Sequence, residues 1–219
     1  MSRAGLQLFP YQEAIIDKLR EGFNAGHRAQ MLVAPTGAGK TEMAMELLMA
    51  ASIRGNRAAM VLDRIVLCNQ TSERLDKYGI DHGVMQSGHW RWRPSERIQV
   101  CSAQTLEKRG SLPDMKLLIV DEAHQTRRQT VEFIDAHPSI KVVGLSATPF
   151  TKGLGQTYTN VVSAVSTREL VELGRLVPLR VFIAKEIDMA GAKKVAGEWS
   201  GNDAQARGMS ITGDIVSEW

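Results

Sequence analysis

An open, doubly wound α/β sheet, mostly parallel and covered by helices on both faces, is the fold class this sequence predicts. Three observations carry it. Apolar runs alternate along the chain with segments of helical periodicity, the pattern of parallel strands joined by crossover helices. The runs are continuous rather than interleaved with polar residues, as strands covered on both faces must be. Every chemistry-bearing motif falls at the carboxyl end of such a run, where open α/β sheets hold their ligands.

The elements follow in order. Tyr11–Phe23 sets Ile15, Leu19 and Phe23 at four-residue intervals, one apolar helix face. Gln30–Ala34 reads as a short buried strand. After a glycine-containing turn comes a helix from Thr41 to about Ile53, with Ala44, Leu47, Leu48 and Ala51 along one side. Ala58–Asp63, Arg97–Cys101, Leu117–Asp121 and Lys141–Leu145 are further strands. Beyond Phe150 the pattern changes. Thr167–Gly174 reads as a short helix that Gly174 ends, Leu179–Ala184 as a strand, and Ile211–Trp219 as a helix. Between Glu186 and Met209 the chain turns to Gly, Ala, Lys, Asn and Asp with little periodicity. One domain over 1–185 is expected, then a linker and the start of a second domain over 186–219.

Composition bounds the function. A chain of 219 residues, 43% hydrophobic and 23% charged, can bury a full core as an ordinary soluble protein. Its net charge of +3 permits a polyanionic partner without requiring one. Cys68 and Cys101 are far apart in apolar surroundings, so they make neither a metal site nor a disulfide framework, and a reducing compartment is expected. The N-terminus has no apolar signal core, and no run approaches the ~20 apolar residues of a membrane span. A soluble cytoplasmic protein without a membrane partner is the expectation.

The strongest local signal is Ala34-Pro35-Thr36-Gly37-Ala38-Gly39-Lys40-Thr41, between a strand and a helix. Gly37 and Gly39 let the backbone turn its N–H groups inward as a nest for phosphate oxygens. Lys40 would set an ammonium on the β- and γ-phosphates. Thr41 would offer a hydroxyl to Mg²⁺, and the helix start adds its positive dipole end. Ala34 stands where such loops usually begin with glycine. In Leu117-Leu-Ile-Val-Asp121-Glu122-Ala-His124, four apolar residues run into two adjacent carboxylates. A neighbouring strand carrying the glycine loop would bring Asp121 to the metal at Thr41. Asp121 would then hold Mg²⁺ through its water shell, and Glu122 would accept a proton from attacking water. Gly144-Leu-Ser146-Ala-Thr148-Pro149 places two hydroxyls at another strand end.

In this order, the glycine loop, the Asp-Glu-Ala-His box and the Ser-Ala-Thr triplet resemble motifs I, II and III of superfamily 2 helicases. Leu8–Gln12 is similar to the segment whose glutamine contacts adenine there. Val61–Gln70 resembles motif Ia and Val100–Leu106 motif Ib, so the likeness spans nearly the whole chain. Gly153-Leu-Gly155 and Arg168–Pro178 also fit the bacterial and phage enzymes of this superfamily related to restriction-enzyme motor subunits. The resemblance implies a RecA-like P-loop NTPase fold that uses ATP and Mg²⁺. Gln12 would read adenine. Pro35, Thr36, Gly37, Ala38, Gly39, Lys40 and Thr41 would hold ATP; Asp121 and Glu122, with Lys40, would carry catalysis. His124, Ser146 and Thr148 would couple the site to a second domain. Arg64, Gln70 and Thr105 would contact a nucleic-acid strand, DNA rather than RNA, by phosphates more than bases. The expected setting is the cytoplasm of a bacterial or phage-infected cell. A non-motor, nucleotide-dependent switch or regulatory subunit on the same fold is the alternative.

Two features lie outside this scheme. His89-Trp-Arg-Trp-Arg-Pro94 interleaves aromatics with arginines, either as a base-stacking surface or as a loop whose arginine stems cover the tryptophan rings. Arg127-Arg128 reads as a solvated helix face, and none of the five histidines stands at metal-ligand spacing. After Pro149 no run resembles motif V or VI; in this superfamily a second RecA-like domain supplies motifs IV to VI, including arginines that stabilise the transferred phosphoryl group. The resemblance therefore implies half a motor, to be completed in cis or in trans, with little hydrolysis of its own.

Overall fold

The computed structural model describes residues 6–109, 114–125, 127–149, 151–163, 165–179, 190–195 and 198–200, with 202 and 205. Residue contacts divide the chain into two compact units, Met1–Leu176 and Val177–Trp219.

In the first unit, α1 (Pro10–Asn24) begins at a proline whose fixed φ suits a first helical position. Gln12 Oε1 accepts the Phe9 N–H at 2.9 Å, satisfying a donor that the helix start would otherwise leave open. Strand β1 (Ala29–Val33) follows, then α2 (Lys40–Ile53), β2 (Ala58–Leu62), α3 (Ile65–Lys77), β3 (Gly83–Met85) and β4 (Ile98–Ser102). After these come α4 (Ala103–Arg109), β5 (Leu117–Val120), α5 (Arg128–Ala136), β6 (Lys141–Ser146), α6 (Leu154–Thr157), β7 (Asn160–Val162) and α7 (Thr167–Glu172). The seven strands form one sheet in the order β3-β4-β2-β5-β6-β1-β7. Every pairing in it is parallel.

Successive residues along the interior strands enter opposite cores, which is why those runs read as continuously apolar. Along β2, Ala58, Met60 and Leu62 join one core while Ala59 and Val61 join the other. The first core takes Ile15, Ile16 and Leu19 from α1, most of α2, Cys68 and Leu75 from α3, and Leu170 from α7. The second takes Ala103 and Leu106 from α4 and Ile134 from α5. Helix α2 departs from the one-sided burial expected of it: Met43, Ala44, Met45, Leu47, Leu48, Met49 and Ala51 are all buried. An alanine- and methionine-rich helix can pack against neighbours nearly all round.

Strands β3 and β7 went unrecognised in the sequence because each has only three residues and stands at a sheet edge. The expected end of the Thr167 helix holds. Gly174 N donates to Val171 O at 2.9 Å and Arg175 N to Leu170 O at 2.8 Å, with Gly174 at φ +65°, a left-handed stop that glycine takes without strain.

The second unit contains a short antiparallel pair, β8 (Lys194–Val195) with β9 (Glu198–Trp199), inside the stretch read as lacking periodicity. The expected strand at Leu179–Ala184, apart from Leu179, and the helix at Ile211–Trp219 lie outside the described residues.

Candidate nucleotide and nucleic-acid sites

The glycine loop leaves β1 at Ala34, whose N–H is held by Ser146 O at 3.1 Å. Gly37 and Gly39 have φ of +86° and +81°, left-handed values that give the loop its inward-facing N–H groups. Both glycines are also sites of close approach. A Cβ on Gly39 would overlap Gln12 Nε2, and one on Gly37 would come within 2.6 Å of Leu176 Cδ2. Ala34 is fully buried and is not among the positive-φ residues, so alanine serves where glycine is usual. Thr36 and Gly37 are exposed, while Thr41 and Pro35 are half-buried and Ala38 is fully buried.

Lys40 Nζ lies 3.1 Å from Ala34 O and 3.4 Å from Pro35 O, folded back on its own loop. Burial holds its pKa below the ordinary lysine value, opposed by the charges of Glu122 and Asp121. Asp121, half-buried with its N–H on Val61 O at 3.0 Å, sits above the ordinary carboxylate range through burial and the neighbouring Glu122. An acid so placed favours a cation beside it. Glycine nest, ammonium and half-buried carboxylate together suit a magnesium-bound nucleotide polyphosphate.

The strand carrying Asp121 is not the immediate neighbour of β1, contrary to expectation. Strand β6 lies between β5 and β1, and its last residue, Ser146, pairs in register with Val33. The two motifs therefore face each other across the end of β6, which is where the Ser-Ala-Thr triplet lies. Glu122 is exposed at φ +46°, the one positive-φ non-glycine among the described residues. Such backbone strain gathers at functional positions. His124 Nδ1 meets Ser146 Oγ at 3.0 Å and Glu122 Oε2 at 3.3 Å, and Gln125 Nε2 meets His124 Nε2 at 3.2 Å. These contacts are met together when Nδ1 carries a proton. Ser146 Oγ also accepts the Thr148 N–H at 3.0 Å. The structure thus brings His124, Ser146 and Thr148 into one network. Gly144 permits it, because a Cβ there would come within 2.7 Å of both Ala123 and Tyr158.

Gln12 is 3% exposed and engaged at both ends of its amide. Its oxygen accepts the Phe9 N–H, and Nε2 donates to Ala38 O at 2.9 Å. It braces the loop rather than presenting a free amide edge.

The residues expected to meet a nucleic-acid strand occupy the other half of the sheet. The ends of β2, β4 and β3 are contiguous there. Arg64 caps α3 and is exposed, as is Gln70. Thr105, only 7% exposed, is the one the structure withdraws: its hydroxyl accepts the Ser87 N–H at 3.2 Å, so it secures a loop.

Of the pair expected on a solvated helix face, only Arg128 fits that description. Arg127 Nε donates to Asp63 Oδ1 at 2.8 Å and Nη1 to Glu107 Oε2 at 2.7 Å. It ties the chain after the Asp-Glu-Ala-His box to the end of β2 and to α4. Both carboxylates lie within the stretches from Asp63 to Gln70 and from Ala103 to Arg109, but nothing in the sequence pairs them with one particular arginine.

This fold and this set of strand ends define a RecA-like P-loop NTPase domain. Residues 5–151 match the family model described as type III restriction enzyme, res subunit. The chain belongs to that family, and resembles the N-terminal RecA-like domain of superfamily 2 helicases and translocases. Among curated relatives, the DNA 3'-5' translocase XPB2 of Sulfurisphaera tokodaii is 31% identical over 172 residues, 76% of this chain and 37% of its own length. A 51.5 kDa protein of a Lactococcus phage is 24% identical over 195 residues, 86% of this chain and 40% of that protein. The chain therefore spans two fifths or less of either relative's length. In fold it is similar to the UvsW helicase of bacteriophage T4, with TM-score 0.59 and 17% identity over 71% of this chain and 59% of that one. The Hef helicase domain of Pyrococcus furiosus gives 0.56 and 21% over 69% and 37%. No helix among the described residues is long and apolar enough to cross a membrane.

Proposed function

We propose that this domain binds Mg-ATP at the ends of β1, β6 and β5 and couples its hydrolysis to movement along DNA. Lys40 and the N–H groups of the Pro35–Thr41 loop hold the phosphates. Thr41 and Asp121 hold Mg²⁺, and Glu122 takes the proton of the attacking water. The observation that supports this most is the division of the sheet: nucleotide-type residues at the ends of β1, β6 and β5, and Arg64 and Gln70 beyond the end of the adjoining β2, in the other half. Arg64 and Gln70 are the exposed contacts on that second half. Gln12 acts on the nucleotide through the loop it braces, and reads adenine only by exchanging its present partners. DNA is preferred to RNA because the relative with the highest identity quoted above is named a DNA translocase.

His124, Ser146 and Thr148 pass the state of the site to a second RecA-like domain, in cis or in trans, that supplies the arginines. Residues 1–185 act as the first motor domain and 186–219 as the passage to the second, in a cytoplasmic protein. Hydrolysis by this chain alone is accordingly weak, since an arginine finger is worth roughly 10³–10⁵ in rate.

The test is Mg-ATP turnover by the 219-residue chain with and without DNA, beside nucleotide binding measured by thermal shift. Slow turnover with clear Mg-ATP protection is expected. Lys40→Ala should weaken that protection by roughly 10- to 100-fold in affinity, the worth of one or two charge-assisted hydrogen bonds. Undiminished protection in the variant would remove the phosphate site from this loop. Brisk, DNA-stimulated turnover would keep the motor and discard the weakness.

A further inference from the structure

The loop between β3 and β4 holds two tryptophans with opposite fates. Trp92 is partly buried against the second core. Trp90 is 73% exposed, the most exposed large hydrophobic among the described residues of the first unit. A single exposed aromatic is common and means little by itself. What distinguishes this one is how firmly the loop beneath it is held.

Trp90 stacks on His89, centroids 5.8 Å apart and planes 24° from parallel, and the Arg91 guanidinium lies 4.7 Å from its ring centre. The Arg91 side chain is itself only 14% exposed. Its Nη1 donates to Asp76 Oδ1 at 2.6 Å and to His82 Nε2 at 2.8 Å. Backbone bonds close the turn: Val84 N to Arg91 O at 2.9 Å, His89 N to Gln86 O and Trp92 N to His89 O, each at 3.2 Å. Gln99 Nε2 holds the far side through Arg93 O and Glu96 O, both at 2.8 Å. The arginine beside Trp90 is thus committed downward, and most of the indole stays open on a pre-ordered base. Binding there costs little further loop ordering.

Position gives the platform its meaning. The bond from Ser87 N to Thr105 Oγ1 pins the start of the loop to α4, just past the end of β4. Residues 91–93 then return beside Gly83 and Val84, which leaves Ser87–Trp90 as the turn at the strand-end edge. That edge continues through β4 to β2 and the exposed Arg64. Elsewhere in the loop from Ser87 to Ser95 the exposed residues are Ser87, Gly88, Arg93, Pro94 and Ser95. A protein interface centre would surround the ring with further apolar side chains. A lone flat aromatic in a polar, partly basic rim suits a nucleobase with its phosphates nearby.

We propose that Trp90 is a stacking platform for an unpaired base of the DNA strand that the motor tracks, with the Ser87–Thr105 bond positioning it. This rests on the nucleic-acid motor reading above.

The experiment measures binding of fluorescein-labelled oligo(dT) to the full chain by anisotropy, with tryptophan emission recorded in parallel. Trp90→Ala should weaken oligo(dT) binding roughly fivefold or more, the scale of removing one base-stacking aromatic. Trp90→Phe should keep most of the affinity, and wild-type emission should fall on binding by an amount that Trp90→Phe does not show. Thermal protection by Mg-ATP should be the same in all three proteins. If wild type binds oligo(dT) and both variants bind as tightly with the same emission change, the platform is wrong and the motor reading stands. If both variants lose blunt-ended duplex as strongly as oligo(dT), the unpaired base is wrong. If wild type binds neither oligonucleotide, the motor reading fails and takes the platform with it.

Discussion

At the scale of single residues, buried polar side chains such as Gln12 and His82 are held by hydrogen bonds to named neighbours. His82 shows the principle outside the nucleotide site. It is 2% exposed, with Nδ1 on Ile80 O at 2.8 Å and Nε2 on Ser72 Oγ at 2.7 Å. Nδ1 donates to that carbonyl, which leaves Nε2 to accept from Ser72 and Arg91. Burial above all, joined by the Arg91 charge, holds its pKa below the ordinary 6.5; the Ile80 carbonyl, Asp76 and Asp81 oppose this only partly. The unfolded chain therefore takes up this proton first as pH falls, so His82 adds stability that is full above about 6.5 and is lost below it. Melting temperatures between pH 7.5 and 5.5 should fall less steeply in His82→Gln than in wild type. Parallel curves would mean that His82 does not titrate with folding. Asp121 has the opposite sign, its raised pKa belonging to a group that favours the fold as it protonates, and it cancels in that comparison because both proteins carry it.

At the scale of elements, most of the functional groups are carried by the turn after a strand or the first turns of the helix that follows. Those residues were legible because strand–turn–helix punctuation is local: glycines at positive φ, apolar runs before, helical spacing after. Partnerships between turns were not legible. Gln12 lies against Ala38 because α1 packs beside the glycine loop, and Thr105 faces Ser87 because β3 and β4 are neighbours. Arg127 is the clearest case, joining the chain after β5 to the turn after β2 through Asp63 and to α4 through Glu107. These pairs are partly exposed, so each adds only about 0–1 kcal/mol to stability. Arg127→Ala should therefore fold, bind Mg-ATP and bind DNA nearly as wild type does. Its loss should appear in the ratio of DNA-stimulated to basal ATP turnover, best measured in a form carrying the second motor domain. An unchanged ratio would make the arginine a structural tie and nothing more.

At the scale of the whole molecule, the proposed function has a second RecA-like domain complete the nucleotide half of the sheet. The Lys40–Asp121–Glu122 group stands with Glu122 exposed and the Lys40 ammonium on its own carbonyls. If a second copy of this chain supplied the arginines proposed for that domain, turnover per chain would climb with protein concentration. The expectation is a low value that stays flat across a hundredfold dilution series. A rising value would place the arginines within these residues.

What the sequence determined alone is what depends on neighbours along the chain. The five longer strands, the helix stop at Gly174, the phosphate nest and the paired carboxylates all follow from side-chain period, glycine freedom and residue spacing. Even the family is legible there, because its motifs are ordered short segments. Only the tertiary structure decided the strand order, and with it that β6 intervenes between Asp121 and the glycine loop. The same holds for the withdrawal of Thr105, the tie made by Arg127 and the separate fates of Trp90 and Trp92. Parallel strands are joined by crossovers whose length does not specify which strand they come to rest beside. That choice is made by burying both faces of the sheet at once, an energy summed over residues distant in sequence, which no local pattern records.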